Sequence, residues 1–122
     1  MILELYGIPT CNTCKKAQQW LDHQGIAYTF INTKTHPPDR PAIAAWVAAL
    51  GAKPLRNTSG QSYRALGAEK QTWDDEAWIA AFSADAMLIK RPVWVRGGTA
   101  IAVGFRDPAA LQARLNPPSE QH

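Results

Sequence analysis

At 122 residues, 46% of them apolar, the chain is long enough for one compact domain that buries its core without help from disulfides or metals. Its formal net charge is only +3 and its basic residues are scattered, which argues against a nucleic-acid groove or an anionic membrane surface as partner. No apolar run approaches the roughly 20 residues needed to span a bilayer, and the N-terminus enters an apolar strand with neither a basic n-region nor a small-residue cleavage site, so the expectation is a soluble, unexported, cytoplasmic protein.

Ile2 to Tyr6 reads as a short buried strand, followed by a turn at Gly7, Pro9 and Thr10 and a helix from about Thr13 to Gln24. In that helix Cys14, Ala17 and Leu21 recur at the helical period and Gly25 supplies a left-handed stop. Ile26 to Ile31 alternates like a second strand, reached by a helix-length crossover and therefore parallel to the first. Asp39 is placed to cap a helix with Pro41 in its first turn and Ile43, Val47 and Leu50 on one face, ended by Gly51.

Lys53 to Gly67 is polar and turn-rich, with one short helical turn over Ser62 to Leu66. Thr72 with Asp75 is expected to form a capping box ahead of a helix carrying Trp78, Ile79 and Phe82. Lys90-Arg91-Pro92 halts helix and forces an extended entry into Val93 to Arg96, joined by Gly97-Gly98 to Thr99 to Val103 as an antiparallel hairpin. Asp107-Pro108 begins a last helix with Leu111 and Leu115 inward. Residues 1–115 are thus expected to form one domain and 116–122 a flexible polar tail. Trp20, Trp46, Trp73, Trp78 and Trp94 are read as packing residues.

This order, a β-α-β opening, a helical insert and a closing β-hairpin with a final helix, is that of an α/β domain of thioredoxin-like fold with a mixed four-stranded sheet. The two cysteines, Cys11 and Cys14, straddle its first strand-to-helix junction, at a spacing that two random cysteines in such a chain would show about 2% of the time. Cys11 stands at the helix start, where unpaired backbone N–H groups and the positive end of the dipole favour a thiolate. Lys15 and Lys16, a turn further on, are expected to add to that effect. Cys14 falls on the apolar side of the first turn, with poorer access and a less favoured thiolate, as befits a resolving thiol that attacks a mixed disulfide on Cys11.

Two buried cysteines of no chemical consequence are the plain alternative, since free cysteine is among the most buried residue types. No metal is expected, because His23, His36 and His122 show no ligand spacing near the pair. No cofactor motif such as a Gly-rich phosphate loop is present. An oxyanion, or the carboxylates of glutathione, would call for guanidinium groups beside the sulfur. Arg56 in a polar loop, Arg91 before a proline and Arg106 after a strand all stand at element ends that one edge of the fold could share.

With Gly7-Ile8-Pro9-Thr10-Cys11-Asn12-Thr13-Cys14-Lys15-Lys16-Ala17, then Lys90-Arg91-Pro92, then Gly104-Phe105-Arg106, the sequence resembles the ArsC/Spx family over nearly its whole length. The resemblance implies a catalytic Cys11, an oxyanion held by Arg56, Arg91 and Arg106, a cis bond before Pro92, and glutathione with glutaredoxin completing the reduction. Gly7 stands where arsenate reductases place the histidine of a His-x-x-x-Cys motif. The run from Leu55 through Tyr63-Arg64 instead resembles the YffB branch, which implies glutathione-dependent thiol reduction. The Cys-x-x-Cys pair is similar to the switch of Spx, which implies as the alternative function a redox-switched regulator that binds the RNA polymerase α-subunit.

Overall fold

The computed structural model describes residues 2–115; the expected tail, 116–122, lies outside them. Leu3, Leu5 and Gly7 turn to one face of β1 (Leu3–Gly7), and Leu3 and Leu5 are almost fully buried. The chain then crosses through α1 (Asn12–Gln24) into β2 (Tyr28–Asn32), which pairs in parallel with β1. Gly25, at φ +68, stops α1 in the left-handed region, and its N–H returns to Leu21 and Asp22 carbonyls, the arrangement that glycine reaches without steric cost. Cys14, Ala17 and Leu21, all at zero exposure, are the buried stripe of α1. Ala17 and Leu21 pack with Leu3, Leu5, Trp94, Leu111 and Leu115 in one of two apolar clusters.

The second cluster fills the opposite face of the sheet. The Asp39 carboxylate accepts from Ala42 N–H at the start of α2 (Arg40–Leu50). Ile43, Trp46 and Val47 from α2 meet Trp78, Ile79 and Phe82 from α5 (Asp75–Ala84) over Val93 and Val95. Two short helices, α3 (Ala52–Leu55) and α4 (Gln61–Ala65), and single 3-10 turns over Ala68–Thr72 and Ala86–Leu88 complete the insert. The polar composition of 53–67 had suggested mostly turns. Ala52 and Leu55 gain helix by burial against α2 and α5, a tertiary effect that local propensity does not carry.

The capping box expected from Thr72 and Asp75 does not form. Asp74 caps α5 instead, accepting from Ala77 N–H at 2.9 Å, while the Thr72 hydroxyl donates to the Glu69 carbonyl within the preceding 3-10 turn. Asp and Thr compete for the same orphan donors, and the carboxylate is the stronger acceptor.

The chain returns as β3 (Val93–Arg96) and β4 (Thr99–Val103), giving the strand order β2-β1-β3-β4 with β3 antiparallel to both neighbours. A register shift between Trp94 and Val95 leaves Ile101 as an extra residue on β4. The last helix, α6 (Pro108–Leu115), folds back on the cluster beneath α1. It is tied at its last two residues: Arg96 Nη1 donates to the Leu115 carbonyl at 2.8 Å and Arg114 Nη1 to the Ile101 carbonyl at 2.7 Å. The mixed four-stranded sheet with its helical insert is the expected thioredoxin-like α/β fold. No helix among the described residues is long and apolar enough to cross a membrane.

Candidate active site

Strand β1 ends in a turn in which Cys11 N–H bonds the Ile8 carbonyl at 3.1 Å, and the Cys11 carbonyl then accepts the first helical bond, from Lys15 N–H. Cys11 is therefore the N-cap residue of α1, in extended backbone geometry. Its sulfur sits among donors that the first turn has no carbonyl to satisfy. Partial burial works to raise the Cys11 pKa. It is outweighed by hydrogen bonds from the Cys14 N–H and thiol, the Arg91 guanidinium and the Thr13 N–H, so the thiol is held below its ordinary value. Lys15 and Lys16, expected to share this work, are exposed, and the groups that favour the thiolate are these short-range donors instead. A lysine ammonium in water one turn away is screened, whereas a backbone N–H in contact is not.

Cys14 is completely buried. Burial pushes its thiol up to about 11, reinforced by the neighbouring Cys11, while a backbone hydrogen bond at Ile8 and the Arg91 charge pull the other way. Its sulfur rests against the end of β1 on the one residue that has room for it. A Cβ added to Gly7 would come within 2.5 Å of Cys14 Sγ and 3.5 Å of Phe30 Cε1, the former far inside van der Waals contact. Gly7 and Cys14 are thus a matched pair: the sulfur occupies the volume in which any side chain at position 7 would begin. The sequence shows glycine at that position without showing its reason.

Arg91 reaches the site through sheet register. Antiparallel pairing of Tyr6 with Val93, the last pair of the β1–β3 ladder, brings the preceding Arg91–Pro92 segment to the end of β1 from which the cysteine turn departs. The Arg91–Pro92 peptide bond is cis, Pro92 is fully buried, and Arg91 is half-buried. Arg91 Nη1 also lies 3.9 Å from the thioether sulfur of Met87, an exposed apolar residue in the Ala86–Leu88 turn. Met87 was not among the expected site residues, and no motif or spacing in the sequence marks it.

The backbone brings Arg56 and Arg106 to the same end of the sheet, but their side chains part company with the sulfur. Arg56 forms an isolated bridge with Ile89, and Lys90 N–H bonds the Leu55 carbonyl. Its guanidinium carbon lies over the Trp78 ring, 4.2 Å from the centroid, with its buried Nε lacking an acceptor among the described residues. Arg106 stands two residues beyond Gly104, whose N–H bonds the Pro92 carbonyl at 2.7 Å. It is exposed and lines a groove with Leu50, Pro54 and Arg114. Of the three arginines, Arg91 is the one whose guanidinium helps to hold the Cys11 thiol below its ordinary value.

The tryptophans behave as packing residues. Trp46, Trp78 and Trp94 are buried, and Trp20 and Trp73 are half-buried against Trp94 and Trp78 respectively. Trp94 Nε1 donates to the Gly104 carbonyl at 2.7 Å, a buried bond that pins the Gly104–Arg106 loop beside Pro92.

Comparison with known proteins agrees with this arrangement. The chain is 32% identical over 111 residues to YusI of Bacillus subtilis, an uncharacterized protein, covering 88% of this chain and 93% of that one. It is 27% identical over 122 residues to an arsenate reductase of Rhizobium meliloti, covering 98% and 78%. The solved structure of the YFFB (PA3664) protein superposes with a TM-score of 0.80 at 38% identity, over 93% of this chain and 98% of that one. The model of the ArsC family matches residues 6–113, so the chain, with its cysteine turn and the Arg91–Pro92 segment both inside that span, belongs to the ArsC family.

Proposed function

We propose that the protein is a glutathione-dependent thiol–disulfide oxidoreductase in which Cys11 is the nucleophile and Cys14 or glutathione resolves its adduct. The observation that carries the reading is the asymmetry of two adjacent sulfurs. Cys11 is partly exposed at a helix N-terminus and surrounded by donors, whereas Cys14 is buried, protonated and bonded to it. A thiolate is the reacting species, and only one of the two sulfurs is prepared as one.

In the first step Cys11 thiolate attacks a disulfide R–S–S–R; a new bond forms between Cys11 Sγ and one sulfur, the substrate's S–S bond breaks, and RS⁻ leaves. In the second, a glutathione thiolate attacks the R sulfur of the mixed disulfide and returns Cys11 as thiolate. Alternatively Cys14 gives up its proton and attacks Cys11 sulfur, expelling the second RS⁻ and closing a Cys11–Cys14 disulfide that two equivalents of glutathione then reduce. Arg91 stabilises the thiolate as reactant and as leaving group in either route. Arg56 and Arg106, on the segments flanking Arg91 and Pro92, are assigned in this reading to the carboxylates of glutathione or to an oxyanion, which their guanidinium forks suit. The expected setting is the cytoplasm, where glutathione keeps thiols reduced; no bound cofactor is needed, and glutaredoxin is the natural partner for recycling.

The filling of position 7 by the Cys14 sulfur, in place of the histidine of arsenate reductases, favours a thiol over an arsenate substrate. The test is intact mass after oxidised glutathione treatment of the reduced protein and its Cys11→Ser and Cys14→Ser variants, with arsenate turnover assayed separately in the presence of glutathione and glutaredoxin. A glutathione adduct confined to Cys11, accumulating in Cys14→Ser and without arsenate turnover, is the expected result. An adduct on Cys11→Ser, or a Cys11 no more reactive at neutral pH than a free thiol, refutes the reading.

The juxtaposed pair also favours one alternative, a redox-switched regulator. An internal Cys11–Cys14 disulfide as the sole product, together with disulfide-dependent capture of the RNA polymerase α-subunit, would move the assignment there.

A further inference from the structure

The geometry points to a second binding surface, at the open edge of β4, built to take an extended, acidic polypeptide segment as an added strand. Strand β4 is the last in the order β2-β1-β3-β4 and, among the described residues, has no strand on its outer side. Trp94 pairs with Ala102, and Gly104 N–H bonds the Pro92 carbonyl. Val103 falls between these two inward-bonded positions, so its amide and carbonyl face outward, as antiparallel alternation requires. Ile101 carbonyl also faces out, and the structure shows what that edge attracts: the guanidinium of Arg114 donates to it at 2.7 Å.

A groove of about 350 Å³ runs along this edge, and its walls come from opposite faces of the sheet. Leu50 and Pro54 belong to the α2–α3 side, with Leu50 and Val103 packed on the cluster there. Ala110 and Leu111 belong to α6 on the other side, with Leu111 and Ala102 in the second cluster. A strand laid against β4 would send alternate side chains to the two faces, and each face offers an apolar wall.

The chemistry of the rim specifies the occupant. Arg106 and Arg114 stand on it, and the one carboxylate lining the groove among the described residues, Asp107, accepts from Ala110 N–H at 3.2 Å as part of the α6 cap. The rim thus presents the Arg106 guanidinium and that of Arg114, the latter held on the Ile101 carbonyl, against a carboxylate already engaged in the α6 cap. An extended segment alternating apolar and acidic residues satisfies the open backbone edge, the walls and the rim together, the mode in which main-chain bonds give affinity and flanking pockets give selectivity. Other features do less. The slot between Tyr6, Trp46 and Arg91 encloses only about 10 Å³, and Arg56, over the Trp78 ring that stacks on Tyr63, is already assigned to the thiol site.

The test uses a fluorescein-labelled peptide alternating valine and glutamate, its valine and lysine counterpart, and fluorescence anisotropy with the full chain. Two variants address the surface and leave Cys11, Cys14 and the three assigned arginines in place. Val103→Pro deletes the outward amide on an edge strand, a position where proline is tolerated. Ala110→Glu sets a like charge in the groove wall on an exposed helical position. Each is expected to weaken the acidic peptide by roughly tenfold or more, to leave Cys11 alkylation unchanged, and the lysine peptide is expected not to bind the wild-type chain. Equal binding of both peptides, no binding of either, or acidic-peptide binding undiminished in both variants overturns the proposal. So does concentration-dependent dimerisation, abolished by Val103→Pro, that occurs without any peptide binding, since the edge then serves a second copy of the chain. Because alkylation of Cys11 is read in the same samples, failure of this surface is distinguishable from failure of the thiol reading.

Discussion

Replacing Gly7 by alanine tests whether the cysteine site is built on a steric match. Gly7 is absent from the glycines with positive φ, so its backbone accepts alanine and the perturbation is one of volume alone. The new methyl would lie 2.5 Å from Cys14 Sγ, and neither partner has room to retreat. Cys14, Ala17 and Leu21 at zero exposure lock α1, and β1 is bonded on both sides, to β2 and β3. Overpacking of this kind costs about 2 kcal/mol, which at a urea dependence of about 2 kcal/mol per molar lowers the midpoint by about 1 M.

Cys14→Ala by itself removes one buried atom and costs about 1 kcal/mol. In that background the nearest remaining atoms to the methyl are Cys14 Cβ and Phe30 Cε1 at 3.5 Å, ordinary contact. Gly7→Ala then becomes neutral or slightly stabilising, because alanine reduces the entropy of the unfolded chain. The double-mutant cycle, measured by urea denaturation under reducing conditions, should therefore show a coupling of about 2 kcal/mol. A Gly7→Ala cost that is the same with and without the Cys14 sulfur would refute the matched-pair account and with it the reason given for glycine at this position.

Three further expectations follow from the same contacts. Arg91→Gln removes a charged donor from the Cys11 sulfur, so the midpoint of the alkylation rate against pH should move upward towards that of a free thiol, whereas Lys15→Gln, on an exposed position, should leave it in place. Keeping Cys14 protonated contributes stability that is fully present below its unfolded value near 9.0 and is lost as pH rises through about 11; the folded state binds the extra proton in that window, so stability should fall there, and Cys14→Ala should flatten the slope in alkaline urea titrations. Trp94→Phe deletes the buried donor to the Gly104 carbonyl and should cost about 2 kcal/mol in denaturant midpoint while leaving far-ultraviolet dichroism unchanged.

The elements were largely legible because each has a local cause. The Cys14-Ala17-Leu21 stripe, the glycine stop at Gly25, the Asp39 cap and the Gly97-Gly98 turn fix their segments through contacts among near neighbours in sequence. The expected strand over Ile26 to Ile31 lies in substance over Tyr28–Asn32, a shift at both ends of the kind that pairing with β1, rather than composition, determines. The α5 start was misplaced because two side chains were competent to cap it, and only geometry says that Asp74 is the one aimed at Ala77. Helix α3 was not visible because it is too short for a periodic signal and depends on Leu55 being buried.

The sequence by itself determined that a Cys-x-x-Cys pair straddles a strand-to-helix junction in a thioredoxin-like domain, since spacing, periodicity and helix-start chemistry are all local properties of the chain. Only the tertiary structure decided which charges reach the sulfur and which do not. Arg91 arrives because β3 runs antiparallel to β1 in the register that pairs Val93 with Tyr6, while Arg56 is held over Trp78 and Arg106 lies in the groove beside α6. Gly7 receives the Cys14 sulfur because α1 is pressed onto β1 by the cluster beneath it. A residue's place at the end of an element can be read from its neighbours in sequence; the direction of its side chain depends on packing against segments far away along the chain, which no local pattern encodes.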